Sequence, residues 1–199
     1  NKGVSYSVVD MSLNNGLGKV ILKNQLLTPP PACEKVTAVR NCNGTDYWII
    51  THPYLSNAFN SYLVTSAGIN PIPVVSHAGT FINDTADTPQ AYEIEWGCFK
   101  ASPNGKKLAF AEADSLDFLE IYDFDNATGI VTNPIKISHV NEGRGIFGLS
   151  FSPDNSKLYA TTASTYPKPD VIYQYDLSSN TVAGILASQY VVDDSLTRT

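Results

Sequence analysis

The side chains best suited to chemistry fall in two groups. Asp123, Asp125, Asn126 and Gly129 spell D-x-D-N-x-x-G, the opening of a calcium loop. Such a loop needs a late bidentate Glu, and Ile130 to Ile137 contains none. The same residues suit a strand-to-strand turn closed by Asx side chains, with copies at Asp10 and Asp176. The second group is aromatic and charged: His52, Tyr54, Tyr92, Glu93, Glu95, Trp96, Arg144 and Tyr166. Aromatics with an Arg suit stacking on a sugar or anchoring a peptide, whereas Trp96 alone equally suits packing between sheets. No catalytic residues are assigned, because no Ser/His/Asp or Cys/His order, GxSxG or Gly-rich phosphate loop is present. Cys33, Cys42 and Cys98 form no CxxC pair, and an odd count leaves at least one free thiol. Cys33 and Cys42 flank the expected strand Glu34 to Arg40, which holds them too far apart to bridge. Asn43, Asn83 and Asn126 open glycosylation triplets, which matter only in a eukaryotic secretory route.

The elements that must position these residues are read from a repeat. SPNGKKLAF, from Ser102, and SPDNSKLYA, from Ser152, are near copies. Turn-plus-strand units begin at Asn43, Asn104 and Asp154, 61 and then 50 residues apart. Each is followed by a strand, a polar turn and another strand: Phe59–His77, Leu119–His139 and Val171–Ser188. A further copy of this second unit runs from Val4 to Asn24 with no first unit before it. No segment sustains a helical apolar period. Strands a of each unit are expected at Lys35–Arg40, Cys98–Ala101 and Phe147–Phe151, and strands b at Tyr47–Thr51, Lys107–Ala111 and Lys157–Thr161.

Four-stranded units of this length in tandem predict an all-β fold, a partial β-propeller of about three and a half antiparallel blades. The expected parts are a c–d half blade at 4–30, blades at 34–80, 97–140 and 146–189, and a lead into a next blade at 190–199. On this reading the candidate binding residues gather on the rim formed by the b–c and d–a loops. The stretch from Phe81 to Trp96 is the longest insertion there, and long irregular loops are often functional.

The charge of −6 and scattered basic residues argue against nucleic acid. No apolar run approaches the ~20 residues of a spanning helix, so membrane insertion is not expected. Low charge with abundant Thr, Ser, Asn and Tyr suits an extracellular β-protein. A bare blade face of several hundred Å² would forgo on the order of 10 kcal/mol of burial. The expected partner is therefore the missing blades of the same chain or a second copy completing a seven-bladed ring.

The strings SPNGKKLA and SPDNSKLYA resemble the blade motif of WD40-like propellers, the class that includes YVTN-repeat surface proteins and bacterial lactonases. YSVVDMSLNNGLGKVILKN, CEKVTAVRNCNGTDYWIITH, SNAFNSYLVTSAGI and YDFDNATGIVTNPI resemble the propeller segment of large bacterial surface proteins. That family is exported by the type IX secretion system, and many of its members are associated with gliding motility. The resemblance implies a secreted or cell-surface location and a non-catalytic, adhesive or scaffolding role, with a protein or glycan as ligand and no cofactor. The alternative is a lactonase-like hydrolase with a metal in the central channel. The expected strands a offer almost no carboxylates for it.

Overall fold

The computed structural model describes residues 3–82, 97–113, 118–138, 144–164 and 169–196. What the chain repeats is a hydrogen-bonded turn. In the second unit the Ser102 N–H donates to Lys107 O at 2.9 Å, and Lys107 N–H returns a bond to Ser102 Oγ at 2.9 Å. The Ser102 hydroxyl donates to Asn104 Oδ1 at 2.8 Å, and Gly105 N–H closes on Ser102 O at 2.9 Å. The third unit copies each bond with Ser152, Asp154, Asn155 and Lys157. The fourth turn position has φ +66° at Gly105 and +65° at Asn155, a conformation that glycine and asparagine tolerate best. In the first unit Asn41 takes the serine's place, with Asn41 N–H on Asp46 O and Gly44 N–H on Asn41 O.

These turns join strands a and b of three antiparallel sheets. The first contains β3 (Ala32–Arg40), β4 (Tyr47–Pro53) and β5 (Ala58–Thr65), with its outer strand in two pieces, β6 (Gly68–Ile69) and β7 (Val74–His77), both paired with β5. The second is β8 (Phe99–Ala101), β9 (Lys107–Glu112), β10 (Phe118–Asp125) and β11 (Ile130–Ser138), in that order. The third is β12 (Arg144–Phe151), β13 (Lys157–Ser164), β14 (Asp170–Asp176) and β15 (Tyr190–Leu196). Before them stands a separate two-stranded hairpin, β1 (Val4–Asp10) and β2 (Lys19–Thr28). In the second and third sheets a Lys at the start of strand b is paired with an Asp near the end of strand c: Lys107 with Asp123 at 2.8 Å, and Lys157 with Asp176.

The sheets stack in chain order. Phe59, Ile50 and Trp48 of the first pack on Phe110, Phe118, Tyr122 and Phe124 of the second. Leu119, Ile121 and Ile137 of the second pack on Ile146, Leu158, Tyr173 and Tyr175 of the third. Innermost strands β3, β8 and β12 lie side by side. Consecutive four-stranded sheets packed face to face are propeller blades, and the expected fold class holds.

One expected element differs. The strand foreseen within Val171–Ser188 is a helix, α1 (Val182–Ala187), capped by the Thr181 hydroxyl accepting from Gly184 N–H at 3.1 Å. Ile185 plugs it into the layer between the second and third sheets. The outer strand comes later, as β15, which pairs with β14. Residues 190–196 therefore finish the third blade instead of leading into another.

Between the first two blades Asn126 acts as a pin. Its backbone O accepts from Trp48 Nε1 at 3.0 Å and Cys42 N–H at 3.2 Å. Its side chain accepts from Lys106 Nζ at 3.0 Å and donates to Arg40 O at 3.4 Å. Asn126→Ala should cost about 1 kcal/mol, read from urea denaturation, because it removes the side-chain bonds to Lys106 Nζ and Arg40 O and leaves only those to the backbone O. Retention of full stability would show that the pin adds nothing.

Candidate functional site

Antiparallel order puts the start of strand a, the end of b, the start of c and the end of d on one edge of every blade. Register shows this in pairs: Ala32 faces Pro53, Phe118 faces Glu112, and Arg144 faces Ser164. This edge is the rim foreseen for ligands. His52 closes β4 on it and Tyr54 follows, half-buried against the first inter-blade layer. Arg144 opens β12, with the second blade between it and His52. Tyr92, Glu93, Glu95, Trp96 and Tyr166 lie outside the described residues.

His52 is not a surface group. It is 2% exposed, and its ring lies edge-on to Phe59 and tilted over Phe110, each centroid 5.0 Å away. Cys33 Sγ is 3.8 Å from its Nδ1. Lys35 enters the same layer with its ammonium 4.6 Å from the Phe110 ring centroid, a cation–π contact. Burial pushes the His52 pKa down to about 4, and the Lys35 charge adds to the effect. At the end of β9, Glu112 is fully buried. No disulfide joins Cys33, Cys42 or Cys98.

Sequence reasoning named His52 but missed Cys33, Lys35 and Glu112. The first two follow from strand parity. Along β3, Cys33, Lys35 and Val39 point into the blade interface, while Val36 is 49% exposed. Hydrophobicity reads this strand backwards at its middle. The usable signal was the even spacing of Cys33, Lys35 and Val39, two and then four residues apart.

A second buried carboxyl lies on the same edge. Glu120 of β10 accepts from Thr80 N–H at 3.0 and 3.1 Å, from the Thr80 hydroxyl at 2.7 Å, and from Tyr122 OH. Lys136 Nζ donates to Thr80 Oγ1 at 2.9 Å and stands over the Phe118 ring. Burial, then the neighbouring Glu120 charge, holds the Tyr122 phenol well above its ordinary pKa, so it stays a donor. Glu120 thereby fastens the chain leaving the first blade onto the second, where the longest connection begins.

The calcium-loop candidates make turn and cross-strand hydrogen bonds. Asp123 accepts from Lys107 and Asn133, Asp125 from Ala127 N–H and the Thr128 hydroxyl, and Asn126 is the pin. Among the described residues no three His, Cys, Asp or Glu side chains group as metal ligands. Among them too, no helix is long and apolar enough to cross a membrane. His77 ends β7 with Nδ1 3.1 Å from Asn57 Oδ1, a local contact; His139 lies outside the described residues. At the opposite edge, the a–b turns of the first two blades line a cavity of about 490 Å³ that includes Arg40, Cys42, Asn104 and Asn126.

No protein-family model matches the chain, and no curated protein matches it in sequence. Solved structures do match in shape. Kuenenia stuttgartiensis hydrazine synthase superposes with a TM-score of 0.52 at 15% identity, over 96% of this chain and 44% of that one. The Swd1 β-propeller domain of a Myceliophthora thermophila Cps50 protein matches at 0.49 and 12%, over 87% and 51%. A Bacteroides uniformis protein provisionally named a 6-phosphogluconolactonase matches at 0.49 and 18%, over 81% and 40%. The chain is part of a β-propeller. It spans about half or less of each of these structures, and the likeness is one of fold alone.

Two outcomes test the site. Gly79 has φ +76°, and a Cβ there would fall 2.4 Å from Glu120 Oε2 and 2.5 Å from Tyr122 OH. Gly79→Ala should cost roughly 2–4 kcal/mol in urea denaturation. His52 binds a proton more weakly folded than unfolded, so its contribution is complete above pH ~6.5. That contribution fades as pH falls toward about 4, by up to about 3 kcal/mol in total. Stability measured across this window should fall with acid, and the fall should flatten in His52→Gln. An equal slope in both proteins would place the titration elsewhere. Asp154, lowered to about 2 by hydrogen bonds from Ser152 and Ser156, titrates below the window.

Proposed function

We propose that this chain is a non-catalytic propeller module of a secreted or cell-surface protein, and that it binds a protein or glycan on the rim where the b–c and d–a connections meet. The carrying observation is how the groups at this rim are used. The imidazole of His52 is enclosed by Phe59 and Phe110, and the Glu120 carboxyl is saturated by Thr80 and Tyr122. These polar groups anchor strand ends and the start of a long connection; they do not face a reacting centre. A rigid scaffold whose connections carry the contacts is the usual plan of a binding surface. The surface location rests on the Thr-, Ser- and Asn-rich composition and on the resemblance of the long strings to exported bacterial surface proteins.

Binding of the protein to arrayed glycans and to candidate surface proteins tests this reading, with Tyr54→Ala and Arg144→Ala as probes. The expected result is a saturable ligand whose affinity falls about ten-fold or more in at least one variant, as for an interface anchor, measured well below that variant's own melting midpoint. Metal-dependent turnover of a sugar lactone by the wild-type protein would overturn it in favour of the hydrolase.

A further inference from the structure

The hairpin β1–β2 is half of what each other sheet contains. In the three complete blades the third strand carries strand b on its inner edge: β4 on β5, β9 on β10 and β13 on β14. β1 holds the third-strand position, since it turns directly into the outer strand β2 as β10 turns into β11. Its inner edge pairs with nothing among the described residues. The hairpin also exposes Val9, Val20, Ile21 and Leu26, each about half accessible. An unpaired apolar edge strand is a template for strand addition.

The chain's own electrostatics say what would fit. Strand b opens with a Lys that pairs with the strand-c Asp in both SP-turn blades, through Lys107–Asp123 and Lys157–Asp176. Asp10 ends β1. It takes the Ser12 N–H at 2.9 Å and the Ser12 hydroxyl at 2.7 Å on Oδ1, just as Asp176 takes Ser178 N–H. Those Ser12 bonds hold the Asp10 pKa below its ordinary value, so the group is anionic. Lys19 is opposite Asp10 in register but outside ion-pair distance. Asp10 thus has the turn of its counterparts without their lysine.

We propose that the β1 edge is a docking site for a β-hairpin of the Ser-Pro-(Asn/Asp)-x-x-Lys-Leu type, whose lysine pairs with Asp10 and whose second strand adds to β1. A second copy of this chain is not the occupant. Among the described residues each of its a–b strand pairs is already bonded to its own third strand, which leaves another c–d hairpin. Two such copies do not make a seventh blade. This surface is independent of the rim, so either reading survives failure of the other.

The test uses a labelled peptide with the sequence of residues 144–164 as the donor hairpin. Fluorescence anisotropy should show saturable one-to-one binding, and hydrogen exchange should show new protection at Val4–Asp10. Lys157→Glu in the peptide, or Asp10→Lys in the protein, should weaken binding about five-fold or more, and combining the two should restore it. Because a free hairpin is only marginally stable, the same segment is also fused ahead of Val4 through a flexible loop. The fused protein should melt at least about 3 °C higher, and its Lys157→Glu form should not. Absence of both effects overturns the proposal. So does charge-independent binding, or a dimer held through β1 that the peptide does not dissociate.

Discussion

The structure depends on burying each blade face against the next. A single four-stranded sheet has two apolar faces and cannot cover either alone. The first and second blades meet where Phe59 lies against Phe99, Phe110 and Tyr122, with ring centroids 4.9–6.2 Å apart in edge-on and tilted pairs. Aromatic pairs of this kind contribute beyond their buried area. The second and third meet through a layer dominated by aliphatic side chains and two tyrosines. Everything else, including which charged groups are enclosed, follows from the registry these layers impose.

That registry explains why charged groups sit where hydrophobic ones would be expected. Lys35 and His52 occupy inward positions of strands whose ends reach the rim, Lys35 over the Phe110 ring and His52 against Phe59, Phe110 and the Cys33 sulfur. Glu120 is enclosed too, but its oxygens are met by a backbone N–H and two hydroxyls. Buried polar groups satisfied in this way fix one arrangement over its neighbours, since any slip would leave them unpaired. Gly79 shows how tight that arrangement is, because no side chain fits where the chain passes Glu120 and Tyr122.

The two ends of the stack differ from its middle. The hairpin and the outward face of the third blade keep large apolar residues in water, among them Val9, Ile21, Phe147 and Tyr190. The helix α1 belongs to the same logic, since it covers the outer part of the layer between the second and third blades with Ile185.

The sequence by itself determined the repeat. Ser-Pro-(Asn/Asp) followed by Lys-Leu encodes a local hydrogen-bonded turn, and local bonds survive in any context, so the blades could be counted and aligned from residues alone. His52, Tyr54 and Arg144 could be placed on one rim for the same reason. The tertiary structure decided which charges are buried, that Asn126 is a pin, and that 182–187 is a helix. Helix formation there depends on a distant pocket for Ile185, and a helix of six residues has no stability of its own. Burial of Lys35 and Glu120 depends on the face a neighbouring blade presents. A strand's residue types show that it has two sides; only the adjacent sheet decides which side is inside.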